Sequence, residues 1–224
     1  MTPTSFRPEY VSFDCYGTLI NYQTEAATRP LLAGRVPEEQ MDAFMRDWRQ
    51  FRYDQVCGDY YPYEQVLQDA WIRVCRKWGL EPNEDAGEQF GTALRTWEAH
   101  DGVIEPLKTM GENYKLVILS NADDSFLDVS VPRLKADFHA VYTAEQAGFY
   151  KPRYGAFEYM LEQLNASPED FVHVSSHTRY DLIPADDLGF TNKVMLDRGY
   201  DPHSPAYNYT TVNSLDELNK LLGL

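Results

Sequence analysis

The stretch Tyr10-Val11-Ser12-Phe13-Asp14-Cys15-Tyr16-Gly17-Thr18-Leu19-Ile20 decides how the rest of this chain is read. A short apolar, β-prone run delivers a carboxylate to its end, and Gly17 permits the sharp turn that leaves the carboxylate exposed. Asp14 is then either a nucleophile presented at the edge of a sheet or an ordinary turn former and helix cap. Polar clusters further along favour the first reading, because they make chemical sense only if they converge on Asp14.

Outward from this strand, residues from about 22 to 100 read as helices with no strong strand signal. Between Glu38 and Val56 the residues Met41, Phe44, Met45, Trp48 and Phe51 fall at three-and-four spacing and share one helix face. Pro37 suits the first turn and Gly58 the exit. A second helix is expected from about Tyr63 to Trp78, and a third from about Asn83 to His100. Beyond them the pattern changes. Leu116 to Leu119, Ala140 to Thr143, Phe171 to Val174 and Lys193 to Leu196 read as short buried strands. Helical patterns, notably Tyr154 to Leu164 and about Asp181 to Leu188, lie between them. Strands alternating with helices predict an α/β fold, a Rossmann-like parallel sheet with its ligand at the carboxyl ends of the strands. The expected organisation is a core of residues 1–21 and 101–224, with a helical domain, 22–100, inserted after the first strand.

Three more clusters fall at expected strand ends or helix starts. Ser120-Asn121 could grip a substrate carboxylate, or simply cap a helix. Lys151, before Pro152, is held extended by its neighbour, although a lysine is ordinarily a solvated surface residue. In Ser175-Ser176-His177-Thr178-Arg179-Tyr180-Asp181, a neutral His177 could relay a proton near pH 7, while Asp181 could equally be the N-cap of a helix that Pro184 starts. Cys15 reads as a small thiol packed under the Asp14 loop, and clustered aromatics near Tyr60 and Tyr61 as packing.

Composition narrows the function classes. A net charge of -15 disfavours nucleic acid and anionic membrane, both of which require a basic surface. No apolar run approaches the ~20 residues of a membrane span, and the N-terminus lacks a signal-peptide core, so the expected location is the cytoplasm. Cys15, Cys57 and Cys75 form no zinc spacing, which leaves reduced thiols as the default.

Taken together, the four ordered motifs resemble the haloacid dehalogenase superfamily, whose first-motif aspartate becomes covalently esterified or phosphorylated. Its phosphatases carry a second Asp two residues later, which acts as general acid/base while its backbone carbonyl helps hold magnesium; here that position is Tyr16. The Asp14-Cys15-Tyr16-Gly17-Thr18 form is similar to the type II 2-haloacid dehalogenases, whose halide leaves without a proton. The resemblance implies no metal, no cofactor and hydrolysis of a short 2-substituted carboxylic acid, foremost an (S)-2-haloacid, to the 2-hydroxy acid. It implies catalytic roles for Asp14, Thr18, Lys151, Ser175 and Asp181, with Cys15, Tyr16, Arg49, Ser120, Asn121 and His177 contacting substrate. Trp48-Arg49 matches the W-R whose arginine takes the halide, although Arg52 lies nearer the centre of the apolar stripe. A homodimer is implied by analogy. The chain departs from the pattern at three points: His177 replaces an Asn, Asp181 comes one residue late, and Phe157 replaces a Tyr. Three other readings stay open: the amine of a strained cyclic amino acid as leaving group, a metal-dependent phosphatase, and a catalytically silent binding protein on this fold.

Overall fold

The computed structural model describes residues 8–32 and 34–224. Its chain divides into two compact units, residues 22–97 and the remainder. The larger unit is built on a six-stranded sheet of order β3-β2-β1-β4-β5-β6. The strands are β1 (Tyr10–Phe13), β2 (Lys115–Ser120), β3 (Ala140–Thr143), β4 (Phe171–Ser175), β5 (Asn192–Leu196) and β6 (Thr210–Val212), and every pair is parallel. Parallel strands are covered on both faces, which is why β1, β2 and β4 are near-continuous buried runs. On one face Tyr10, Val117, Leu119, Phe157, Met160, Phe171, Ala185 and Phe190 form a core.

Chain order runs outward from β1 in both directions, so the strand order reverses there, and ligands in such sheets bind beyond the carboxyl ends at that reversal. Asp14, Ser120 and Ser175 stand at the ends of β1, β2 and β4.

The smaller unit is helical: α1 (Thr24–Leu32), α2 (Met41–Val56), α3 (Tyr63–Lys77) and α4 (Ala86–Leu94). Its core is aromatic. Trp48 meets Trp71 edge-on at 5.4 Å and stacks on Phe90 at 5.1 Å, while Phe44 meets Trp71 at 5.7 Å. Helix α4 can lie against α3 because Gly87 has no side chain; a Cβ there would sit 2.2 Å from the Glu64 carbonyl oxygen.

The helix expected from Asn83 to His100 is shorter, and the boundary at 100 moves to 97. Glu98, Ala99 and His100 pair with the first-strand loop: Glu98 O accepts from Asn21 N, Ala99 bridges Ile20, and His100 N donates to Leu19 O. The core then continues with α5 (Ile104–Gly111), α6 (Asp124–Ser130), α7 (Ala144–Ala147), α8 (Tyr154–Leu164), α9 (Ile183–Asp187) and α10 (Leu215–Leu222). Among the described residues no helix is long and apolar enough to cross a membrane.

Candidate active site

The turn after β1 makes the site. Gly17 has φ +95, and a Cβ there would lie 2.6 Å from His177 Nε2, so both backbone geometry and space demand glycine. Two further side chains hold the turn by its carbonyls. His100 Nε2 lies 3.2 Å from Gly17 O, and Arg198 Nη2 donates to Thr18 O at 3.2 Å. Burial, then the Arg198 charge, lowers the His100 pKa to about 4, so this imidazole is neutral at pH 7 and can donate to the carbonyl. Gly17→Ala is expected to cost at least about 1–2 kcal/mol from the left-handed conformation alone, measurable by chemical denaturation, with His177 displaced and activity reduced.

Asp14, 5% exposed, receives one donor on each oxygen. Thr18 Oγ1 donates to Oδ2 at 2.7 Å and Lys151 Nζ to Oδ1 at 3.0 Å. Thr18 in turn accepts from Ser176 N at 2.9 Å, and its hydroxyl lies 3.0 Å from Ser176 Oγ. The Lys151 ammonium has three protons and three acceptors: Asp14 Oδ1, Leu119 O at 2.7 Å and Asp181 Oδ1 at 2.7 Å. Burial opposes its charge, but Asp14 and Asp181 outweigh that and raise its pKa above the ordinary lysine value. The solvated-surface alternative for Lys151 is thus excluded; the side chain is 1% exposed.

Asp181 is fully buried. Burial pushes its carboxyl up, yet Lys151 and then His173 prevail and hold it below the usual carboxylate range. Its place in the sequence, one residue later than the resemblance leads one to expect, is absorbed by a π-helical turn over Thr178–Leu182, in which Asp181 N and Leu182 N both donate to His177 O at 3.3 and 3.4 Å. Such widened turns accommodate one extra residue and recur at functional sites. Asp181 is not the N-cap of the helix that holds Pro184, because α9 (Ile183–Asp187) is preceded by Leu182 at that position and Asp181 lies inside the π turn.

Two buried polar atoms here lack a protein partner among the described residues, Ser120 Oγ and Asp181 Oδ2. A buried hydroxyl left unpaired costs about 1–3 kcal/mol, so such atoms mark places where a ligand or water completes the bonding.

Several expected contacts fall elsewhere. The Asn121 side chain clamps the Lys151 backbone, donating from Nδ2 to Lys151 O and accepting from Lys151 N, both at 2.7 Å. It positions the lysine, and one amide hydrogen lies beyond this clamp. Cys15 is fully buried and its thiol pKa is pushed up by burial and then by Asp14, so it is a packing residue and not a substrate contact. The Tyr16 hydroxyl is turned into α6, 2.8 Å from Ser130 Oγ and donating to Phe126 O at 3.3 Å, which leaves only its ring for a ligand. Ser175 Oγ accepts from His177 N at 3.0 Å and so supports the turn rather than Asp14. His177 stacks on Tyr200 at 5.7 Å, with Nδ1 3.9 Å from Asp201. Arg49 and Arg52 belong to the helical unit; Arg49 is exposed on α2, and Arg52 lies over Trp48 at 5.1 Å and bonds the Tyr22 hydroxyl.

Ser176 lies in the last polar cluster of the sequence, whereas the pattern gives no role to Ser12 or His173, yet all three touch this network. A signal was present. Side chains two apart on a strand share a face, so Ser12 accompanies Asp14, and a polar residue inside each of two neighbouring apolar strands requires a partner.

In the phosphatases that the resemblance brings in, the residue two places after the nucleophile is the general acid/base and offers its backbone carbonyl to magnesium; Tyr16 keeps a carbonyl and lacks the carboxylate, and each Asp14 oxygen faces one donor, Thr18 or Lys151.

Comparison with known proteins places this geometry in a family. A model of the haloacid dehalogenase-like hydrolases matches residues 9–189. A dehalogenase crystal structure, 26% identical, superposes with a TM-score of 0.76 over 99% of each chain. The L-2-haloacid dehalogenase of Xanthobacter autotrophicus with chloropropionic acid covalently bound is 18% identical, with a TM-score of 0.74 over 96% of this chain and 98% of that one. A curated relative, glyceraldehyde 3-phosphate phosphatase of Methanocaldococcus jannaschii, is 33% identical over 82 residues, 36% of each chain, so the match spans about a third of that protein. With the family model covering most of its length and the parallel core carrying all four polar clusters, the chain belongs to the haloacid dehalogenase-like hydrolases.

Proposed function

We propose that this hydrolase converts a short 2-haloacid to the 2-hydroxy acid through an ester on Asp14, without a metal. The observation that carries the reading is Tyr16, whose hydroxyl is held by α6 where a phosphatase needs a second carboxylate to protonate an alkoxide. Halide leaves as a stable anion and needs no proton, so a site with Tyr16 suits it.

In the first step an Asp14 carboxylate oxygen attacks C2 in line, the carbon–halogen bond breaks, and an ester of inverted configuration forms. Ser120 Oγ, unpartnered and at the end of β2, would bind the substrate carboxylate together with backbone N–H groups that follow it. Holding carboxylate and C2 together can supply on the order of 7 kcal/mol of the barrier. Lys151 has no donor left for the halide. We assign that anion to Arg49 on the resemblance alone. In the second step water attacks the Asp14 carbonyl carbon and Asp181 takes its proton; the carbon–oxygen bond between that carbonyl and the substrate oxygen then breaks, Asp181 returns the proton to the departing alkoxide, and the remaining proton of the water is lost from the Asp14 carboxyl to solvent. The hydroxy acid leaves and Asp14 is restored.

The test is a single turnover of excess enzyme with 2-chloropropionate in ¹⁸O-labelled water. Label in Asp14 supports the ester route; label directly in lactate means that water attacks C2. Chelators are expected to leave the rate unchanged. The phosphatase relative gives the second reading its support, and hydrolysis of a phosphate ester that EDTA abolishes would replace our proposal with that one.

A further inference from the structure

Behind Asp181 lies a buried imidazole that the mechanism above does not use. His173, in the middle of β4, is 0% exposed, as are its two polar partners Ser12 and Asp181. Its Nε2 lies 3.0 Å from Asp181 Oδ1 and its Nδ1 2.9 Å from Ser12 Oγ. Ionised Asp181 can only accept, so Nε2 carries the proton in this contact, and Nδ1 is left to accept from the Ser12 hydroxyl. Phe157 and Phe190 pack edge-on against the ring at 5.4 and 6.0 Å. The neighbouring cation on β5, Lys193, is engaged with Phe190 O at 2.6 Å and Asp186 at 2.8 Å.

The two oxygens of Asp181 are therefore unlike. Lys151 and His173 both donate to Oδ1, while Oδ2 has no partner among the described residues although it is buried. One oxygen is a fixed anchor, and the other keeps its lone pairs. Lys151 alone could not make this distinction, because its single bond to Asp181 allows the carboxylate to turn about that contact; a second donor on the same oxygen removes the freedom.

We infer that His173, itself held by Ser12, is the positioning residue that turns Asp181 Oδ2 into the proton acceptor for the hydrolytic water. The inference rests on the ester mechanism for its kinetic consequence and on geometry alone for its structural one. In that mechanism the alkylation step uses Asp14 and Lys151, and the hydrolysis step additionally uses Asp181. Loss of His173 thus acts on the second step and spares the first.

Two measurements on the full chain test it. With ¹⁵N-labelled histidine, an imidazole N–H proton well downfield and shielded from solvent exchange is expected, absent in His173→Gln, retained in Asp14→Asn and moved upfield by Asp181→Asn. In rapid-quench experiments with 2-chloropropionate, followed by the intact protein mass, His173→Gln is expected to form the ester within about threefold of the wild-type rate but to hydrolyse it up to about 100-fold more slowly, the cost of misplacing a reacting group by about 1 Å. Alkylated protein then accumulates, and Ser12→Ala gives the same split with smaller size. A merely structural histidine would slow both steps together or lower Tm without a split, and either result overturns the inference, as does a downfield proton indifferent to Asp181→Asn. If wild-type protein forms no ester while the downfield proton behaves as described, the 2-haloacid reading fails and the positioning of Asp181 stands.

Discussion

Asp14→Asn is expected to lower turnover by on the order of 10⁵–10⁶, the size of effect seen when a covalent nucleophile is removed, while leaving the fold intact. The amide is neutral and a poor nucleophile, so no ester forms and no mass increase follows incubation with a 2-haloacid. The local bonding survives, because the Asn oxygen can still accept from Lys151 Nζ and the amide NH₂ can donate to Thr18 Oγ1, whose hydroxyl now has to turn. The buried charges also change in a favourable direction. Lys151 faces two carboxylates in the wild type and only Asp181 in the variant, so the pair becomes neutral. Stability is therefore expected within about 1 kcal/mol of wild type or above it, the usual relation when a strained functional charge is removed. Halide release, intact mass and a thermal melt read the three outcomes; halide release near the wild-type rate would exclude Asp14 as the nucleophile.

This prediction draws on residues that were legible in the chain itself, and the contrast with those that were not is physical. Buried parallel strands are short apolar runs, so Ala140 to Thr143 coincides with β3, the expectations for β4 and β5 differ from the observed strands by one residue at one end, and that for β2 by one residue at each end. The β6 strand, Thr210–Val212, has two of its three residues exposed at the sheet edge and carries no apolar run to announce it. Helical periodicity overran past Leu94 because Trp97 continues the apolar spacing, whereas backbone pairing with the Asp14 loop claims Glu98 to His100. At the site, residue type was legible and bonding was not. Nothing in Ser-Asn says that Asn121 grips a backbone while Ser120 stays unpartnered, and nothing in a seven-residue spacing says that a π turn brings Asp181 to Lys151. Those outcomes depend on contacts between segments 30 residues apart in the chain, Asn121 with Lys151 and Lys151 with Asp181.

The largest effect on stability is expected from Lys151→Met. Met approximates the length of the aliphatic stem and fills its space, so the change isolates the charge and its three hydrogen bonds. Removing one partner from a buried ion pair costs about 3–5 kcal/mol, and here two carboxylates are left facing one another with a carbonyl unbonded. In the wild type, Lys151 has a raised folded pKa, so its contribution is complete below the ordinary lysine value of 10.5 and fades only as pH climbs through the raised one. Asp181 has a lowered folded pKa; its contribution is complete above the ordinary value of 3.8 and fades as pH falls through the lowered one. Lys151 and Asp181 thus add no slope to wild-type stability across neutral pH. In the variant the carboxylates lose their cation, and burial together with mutual repulsion raises the folded pKa of the pair. Protonation then favours the folded state, so stability falls as pH rises through the raised value. Denaturant midpoints for both proteins between pH 4.5 and 8 check this: a flat difference would mean that His173 or solvent neutralises the pair without Lys151, and a difference that widens with pH means that the ammonium is what allows two carboxylates to share one dry site.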